Sequence, residues 1–193
     1  MSRRTGREAK ADETTGDELC RIELADDRWL RPLEESDAQA LYEVIKADRD
    51  RLARWMPWAA GQTFEDTLAF IQRTREQLAN NNGFQTAVIV DGHIVGMVGF
   101  HGVSWDHHST SIGYWLAESA QGRGTMTRAV QALVDHAFGA WHLHRVEIRA
   151  AVDNTRSRAV PERLGFIQEG VARKAERIGD RYIDQVVYAM LNE

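Results

Sequence analysis

The apolar positions of this chain recur in two periods, and the elements change where one period gives way to the other. Alternation predicts short strands over Leu19–Leu24 and Arg28–Leu33, the second broken by Pro32. Ala38, Leu41, Val44 and Ile45 then follow helical spacing, which predicts a helix over Asp37–Ala47 with Ser36 as its cap. It continues toward Leu52 until Pro57 stops the pattern. The clearest helix start is Thr63, which can cap Thr63–Leu78 with Asp66 as reciprocal partner of a capping box. Asn80-Asn81-Asn82-Gly83 ends that helix with residues that tolerate a left-handed cap. The period then shortens. Thr86–Val90 and Ile94–Phe100 read as a hairpin around Asp91-Gly92, and Gly96 and Gly99 point to a close backbone approach or a bulge. Ser109–Leu116 is a third strand, after the polar loop Ser104–His108. Met126, Val130, Leu133, Val134 and Ala137 make the stripe of a helix over Gly122–Phe138, closed by Gly139. A strand over His144–Val152, a short helix over Thr155–Leu164 ended by Gly165, and strands over Phe166–Ala172 and Tyr182–Leu191 complete the order, the last two joined by Glu176–Arg181 around Gly179. Helices interrupt a mostly antiparallel set of strands, so the class is α+β, or α/β with one mixed sheet. Met1–Glu18 is polar and aperiodic and reads as a disordered tail, which leaves 19–193 as a single domain.

Composition narrows the function classes. The 193 residues are 43% hydrophobic and 27% charged, as in an ordinary globular domain. Lys plus Arg is 24 against 29 for Asp plus Glu, a net charge of −5, which disfavours direct nucleic-acid binding by a generally cationic surface. The single cysteine, Cys20, permits neither an intrachain disulfide nor a thiolate zinc cluster. No apolar run approaches the ~20 residues that cross a bilayer, and the N-terminus lacks the apolar core of a signal peptide. The expectation is a cytoplasmic protein with no membrane segment.

Two stretches carry candidate chemistry. Gln121-Gly122-Arg123-Gly124-Thr125-Met126-Thr127 follows a strand and opens a helix, where glycines allow close approach and first-turn amides are free for an anion. Its glycine spacing is neither that of a dinucleotide fingerprint nor that of a P-loop, and a plain connecting loop is the alternative. The second is Asn154-Thr155-Arg156-Ser157, in which Asn154 or Thr155 can cap the helix and Ser157 falls in the first turn, followed by Leu164-Gly165-Phe166.

Together these stretches resemble the GNAT superfamily of N-acetyltransferases, and more narrowly its ribosomal-protein serine and alanine acetyltransferases. The family's acetyl-CoA loop falls on Gln121, Gly124 and Met126, where Met126 replaces the usual Gly or Ala and Gly124-Thr125-Met126-Thr127 resembles the branch's Gly-Ile-Met-Thr. Asn154, Ser157, Gly165 and Phe166 match the second motif, and Trp55-Met56-Pro57-Trp58 resembles the branch after its first helix. The resemblance spans Trp29 to Leu191. It implies an acyl-CoA N-acyltransferase fold: a twisted mixed sheet flanked by helices, in which the strand from His144 splays away from the one ending at Leu116. It further implies acetyl-CoA as cofactor, held by Trp115, Leu116, Gln121, Gly122, Arg123, Gly124, Thr125, Met126, Asn154 and Ser157. Ser157 would protonate the leaving thiolate, and Glu176, in Ala172-Arg173-Lys174-Ala175-Glu176, would be the base.

The residues themselves leave alternatives. An amine must lose a proton before it attacks a thioester, and a buried carboxylate can take it. Glu176 qualifies if it borders a cleft, but Arg173, Lys174 and Arg177 could hold it as an ion-pair partner. Ser157 could instead serve the helix start. The developing oxyanion needs a donor, expected among the backbone amides near Gly113–Leu116. Trp55 and Trp58 flank Pro57 and either line the acceptor groove or cover the core; His101 is an alternative base and a further candidate for binding the acceptor. Trp29, Trp105, Trp115 and Trp141 read as core, Arg49, Arg51 and Arg54 as solvated helix charges, and the pairs His107-His108 and His142/His144 as solvated or packing residues with no metal site. The function expected is acetyl transfer to a protein N-terminal amine, with a small amine (aminoglycoside or polyamine) or a non-catalytic coenzyme A sensor as alternatives. A homodimer is expected from the family and from the apolar alternation of Val186, Tyr188 and Met190.

Overall fold

The computed structural model describes residues 21–25 and 27–193. The expected tail at 1–18, and Leu19 and Cys20 of the first expected strand, lie outside them. Eight strands form one mixed sheet in the order β1-β2-β3-β4-β5-β6-β8-β7: β1 (Ile22–Ala25), β2 (Arg28–Pro32), β3 (Gln85–Val90), β4 (His93–Ser104), β5 (Ser109–Leu116), β6 (Arg145–Ala151), β7 (Ile167–Ile178) and β8 (Arg181–Leu191). Every neighbouring pair is antiparallel except β5 and β6. The helices are α1 (Ala38–Ala47), α2 (Arg49–Leu52), α3 (Phe64–Ala79), α4 (Thr125–Gly139) and α5 (Thr155–Leu164).

Period-two alternation sends successive residues of β3 and β4 into two different cores. Val88 and Val98 join Met126, Val130 and Leu133 of α4 on one face. Ala87, Ile89 and Met97 join Leu41, Ile45, Leu52 and Ile71 of α1–α3 on the other. With both faces covered, the centre of the sheet is a buried layer between helices, the α+β mixed-sheet architecture expected.

Local chemistry accounts for most element ends. Thr63 caps α3 by accepting from the Asp66 N–H at 3.1 Å, and Asp66 accepts in return from the Thr63 N–H at 3.1 Å. Asp91 and Gly92 turn the β3–β4 hairpin at φ of 50° and 78°. Four expectations are corrected. Ser36 does not cap α1; a 3₁₀ turn over Glu35–Asp37 precedes the helix, and the Asp37 carboxylate accepts from the Glu34 N–H at 2.8 Å and bidentately from Arg31 at 2.6 and 2.7 Å. Burial alone would raise the Asp37 pKa, but these partners outweigh it and hold it low. α4 starts at Thr125 rather than Gly122, because Gly122 and Gly124 take left-handed φ of 77° and 72°. β4 runs beyond Phe100 to Ser104, across a bulge between Phe100 and Val103. β7 runs through Arg173–Ile178, where a connection was expected, because β8 supplies a hydrogen-bonding partner as far as Arg181.

β5 and β6 pair only at Ser109–Arg145, Thr110–Val146 and Ser111–Glu147 and then separate, as expected of the strands at His144 and Leu116. β6 meanwhile stays paired with β8 from Arg145 to Ala151. On the other side, β4 closes on β5 so tightly at Gly96 that a Cβ there would strike the Trp115 carbonyl and the Leu116 Cα. Gly96→Ala should therefore cost about 1–3 kcal/mol of stability, measured by urea unfolding. Gly61→Ala, with nothing within 4 Å of its added Cβ, should stay within about 0.5 kcal/mol of the parent.

Candidate active site

The gap left by the splayed strands is a cleft of about 2260 Å³ bordered by β5, β6, the starts of α4 and α5, and the α2–α3 segment. That is well beyond the ~300–1,000 Å³ of an ordinary small-molecule pocket, enough for a large ligand and an acceptor together. Its backbone is partly unpaired. The Ala117 N–H donates to the Val95 carbonyl at 2.7 Å, so strand alternation turns the N–H and C=O groups of Tyr114 and Leu116 away from β4 and into the gap. These lie within the Gly113–Leu116 stretch expected to supply a donor.

The glycine loop forms one wall. No side chain of the described residues caps α4 at Gly124, and the first helical hydrogen bond across its start is that of the Arg128 N–H to the Gly124 carbonyl at 3.1 Å. The amides of Thr125, Met126 and Thr127 have no partner within the helix, which makes an anion site. Gly122, Gly124, Thr125 and Met126 border the cleft. Arg123 does not; its side chain is exposed, and its carbonyl accepts from Arg28 at 3.1 Å. The Gln121 side chain works on the protein, donating to the Leu116 carbonyl at 3.0 Å and accepting from Arg156 at 2.9 Å.

Asn154 is the N-cap of α5, its Oδ1 accepting from the Ser157 N–H at 3.2 Å. Ser157 is thereby released from capping. Its hydroxyl lies 3.4 Å from the Tyr114 hydroxyl, which donates to the Ser157 carbonyl at 2.8 Å. Burial pushes the Tyr114 phenol well above its ordinary pKa, so it stays protonated. Tyr114 escaped the sequence reading because it is one of several apolar-type residues in a strand.

The opposite wall carries Trp55, Met56, Trp58 and Trp115. Trp58 is 41% exposed and packs at 6.3 Å from the Trp115 ring. Trp115, expected against the cofactor and also as core, has its backbone turned toward β4 and packs partly against the α1–α3 core. His101 stands at the rim, 3.2 Å from the Ser111 hydroxyl, with its pKa lowered by burial. Two of the arginines read as solvated are not: Arg49 donates to the Ala60 and Gln62 carbonyls, and Arg51 to Leu116. The two histidine pairs meet through backbone, His144 N–H to His108 carbonyl at 2.7 Å.

Glu176 reaches this cleft from β7 by a bulge. Ala172 faces Gln185 and Glu176 faces Ile183, so β7 spends two more residues than β8 between those pairs. Lys174 takes φ of 51°, and its N–H donates to Asp184 at 2.7 Å. Gln185, whose polar side chain in an apolar strand was a signal left unread, donates to Glu176 at 2.9 Å. None of the described ion pairs includes Glu176, although Arg173, Lys174 and Arg177 adjoin it in sequence. Burial raises its pKa, and the Gln185 bond offsets only part of the rise.

A splayed mixed sheet with an uncapped helix start and a glycine turn in its gap is the architecture of an acyl-CoA-dependent transferase, and the chain belongs to the GNAT acetyltransferases, whose domain model matches residues 28–167. It is 38% identical over 164 residues to a putative ribosomal N-acetyltransferase of Bacillus subtilis, covering 84% of this chain and 90% of that one. It is 30% identical over 173 residues to the ribosomal-protein-serine acetyltransferase of Escherichia coli, covering 88% and 96%. The solved structure of the RimL ribosomal L7/L12 alpha-N-protein acetyltransferase in complex with coenzyme A superposes with a TM-score of 0.85 at 27% identity, over 89% of this chain and 97% of that one. The microcin C7 self-immunity acetyltransferase in complex with acetyl-CoA and AMP gives 0.83 at 28%, over 88% and 94%. The chain is thus an acetyl-CoA-dependent N-acetyltransferase. Its own geometry fits that cofactor: free α4 amides suit a pyrophosphate, and the unpaired edge of β5 suits an amide-bearing arm.

The caps assign different costs to neighbours. Asn154→Ala should lower stability by about 0.5–2 kcal/mol, as for loss of an N-cap, while Ser157→Ala should leave the melting midpoint nearly unchanged.

Proposed function

We propose that this enzyme acetylates the N-terminal α-amine of a protein, a ribosomal protein foremost, by direct attack within a ternary complex. The observation that carries the reading is Glu176: a half-buried carboxylate at the cleft, bonded to a neutral amide and to none of the described cations, with its pKa raised by burial. Acetyl-CoA supplies the activated acyl group as a thioester. Glu176 takes the proton of the attacking amine, directly or through water. The α4 amides and the Asn154 side chain hold the cofactor, and the N–H groups of Tyr114 and Leu116 offer donors to the carbonyl oxygen. The Ser157 hydroxyl, 3.4 Å from the Tyr114 hydroxyl, gives its proton to the departing sulfur and takes another from solvent, to which Glu176 releases the amine's proton. No described residue of the cleft is a cysteine, which accords with direct transfer.

The acceptor wall supports a peptide end over a polycationic small amine. It is open and aromatic, with Trp55 and Trp58, and its charged residues include Arg51 of α2, Arg54 of the turn after it and Arg73 of α3. Of the cleft's carboxylates, Asp66 is occupied in its capping box and Glu147 by Arg145 and Arg149, which leaves a polyamine Glu118, Asp153 and Glu176. The names of the relatives, which act on ribosomal proteins, point the same way. Incubation with acetyl-CoA and an equal mixture of ribosomal proteins, Ser- or Ala-initiated peptides, aminoglycosides and spermidine, read by mass gain, should acetylate the protein N-termini. Acetylation of the small amines alone would overturn the acceptor assignment. We read the enzyme as cytoplasmic, in keeping with that acceptor. Val186 and Tyr188, expected to mark a dimer face, are buried in this chain's own core, so we read a homodimer as joined instead at the edge strand β7, where Ile167 is 70% and Val171 47% exposed. Light scattering at micromolar concentration should give more than the 21.9 kDa of one chain.

Glu176→Gln tests the base. It keeps the volume and an acceptor for Gln185 but cannot take a proton. Turnover should fall ~10²–10⁴-fold at neutral pH with acetyl-CoA affinity retained, and recover in part at high pH as more acceptor amine, of ordinary pKa ~8, arrives deprotonated. Stability should move the other way. A raised carboxyl pKa means that the folded state binds more protons, so stability falls as pH rises from the ordinary carboxylate value through the raised one. At neutral pH the ionised group therefore costs stability, and the variant's melting midpoint should equal or exceed that of the parent. Wild-type kcat on the acceptor would remove Glu176 from the mechanism.

A further inference from the structure

The site as assigned leaves one set of hydrogen bonds across the cleft floor unexplained, and it converges on a single backbone atom. The Leu116 carbonyl, at the end of β5, accepts from Arg51 Nη2 at 2.8 Å and from Gln121 Nε2 at 3.0 Å. Arg51 comes from the acceptor wall and Gln121 from the loop before α4. The same Arg51 nitrogen donates to Asp48 Oδ2 at 2.6 Å, and that oxygen accepts from the Glu118 N–H at 2.7 Å. Both side chains are mostly buried, at 23% and 17% exposure, so solvent screens the pair weakly. The Arg51 Nε is buried with no partner, so the guanidinium is held in place despite leaving one donor unsatisfied.

We propose that Arg51 is a positioning residue that sets the acceptor wall in register with the acetyl-CoA wall through the Leu116 carbonyl. The proposal rests on the division of the cleft into acceptor and cofactor sides made above. α2 runs without a break into the acceptor wall: the Ala53 N–H bonds the Arg49 carbonyl, and the Trp55 and Met56 N–H groups bond the Leu52 carbonyl at 3.0 and 2.9 Å. A shift of Arg51 is thus carried to Trp55 and Trp58 by hydrogen-bonded backbone. At its other end Arg51 grips the residue whose own N–H faces the gap, one position from the Trp115 ring that meets Trp58. One guanidinium therefore sets both the end of β5 and the pitch of the aromatic wall. A misplacement of ~1 Å between reacting groups can cost ~10²-fold in rate, so this link affects turnover rather than folding alone.

The test uses Arg51→Met, which keeps the stem, and Arg51→Lys, which keeps the charge but lacks the planar fork. Acetyl-CoA and a peptide with a free N-terminal serine are the substrates; kcat, peptide KM, coenzyme A Kd and melting midpoint are the readouts. Both variants should lose 10-fold or more in kcat and raise the peptide KM, with coenzyme A Kd changed less than threefold, and Arg51→Lys should recover the melting midpoint without recovering kcat. Combined with Gln121→Leu, the loss in kcat should be smaller than the product of the single losses, because both side chains hold one carbonyl. A Lys variant with wild-type kcat and peptide KM would reduce Arg51 to a structural ion pair and overturn the proposal, as would multiplicative losses with Gln121→Leu. These readouts do not depend on which group is the base, so a failure of the Glu176 assignment would leave them interpretable.

Discussion

The structure depends on where a parallel strand pair stops. β5 and β6 share three residue pairs and then part, each kept straight by its outer neighbour, β4 on one side and β8 on the other. Backbone groups inside a protein must find partners, so parting the strands creates donors and acceptors that something else must satisfy. At Leu116 the protein answers with side chains, Arg51 and Gln121. At Tyr114 and along the start of α4 the unpaired amides are left facing the cleft. The unpaired groups that this parting leaves in the cleft are main-chain groups, which any residue type supplies.

The β7 wall of the cleft shows environment overriding residue type. Glu169 and Glu176 lie on the same strand. Glu169 takes two hydrogen bonds from Arg145, at 2.7 and 2.6 Å, and these hold its pKa low. Glu176 has a neutral amide for a partner, and burial lifts its pKa. One carboxylate is committed as an anion and the other is available to exchange a proton, with six residues and one bulge between them.

What could be read from sequence was what local chemistry dictates. The Thr63–Asp66 box, the Asp91-Gly92 turn and the bounds of Ser109–Leu116 and Thr155–Leu164 follow from residues near in the chain, and all four stand in the structure. The glycines of the α4 loop were legible as backbone, though not as the two left-handed residues that delay the helix to Thr125. The length of β7 was hidden because Arg173–Arg177 has no apolar alternation; an edge strand can expose charge and still be held by one neighbour's ladder. Arg51 was read as a surface charge because its partner is a carbonyl 65 residues away, and every residue has a carbonyl. Long-range bonds from side chain to main chain leave no pattern to find.

The bulge in β7 has a meaning beyond geometry. Residues facing each other across an antiparallel pair share a face of the sheet. Continued without interruption from Ala172–Gln185, regular pairing would bring Lys174 opposite Ile183, where Glu176 now stands. The hairpin therefore holds two sequences of opposite sign for the same position, and the bulge selects the acidic one. Hairpin register, more than the identity of any residue in the cleft, decides whether this wall presents a proton acceptor or an ammonium. A family that keeps the fold and the cofactor loop could gain or lose its base through a slip of two residues, with the composition of the site unchanged.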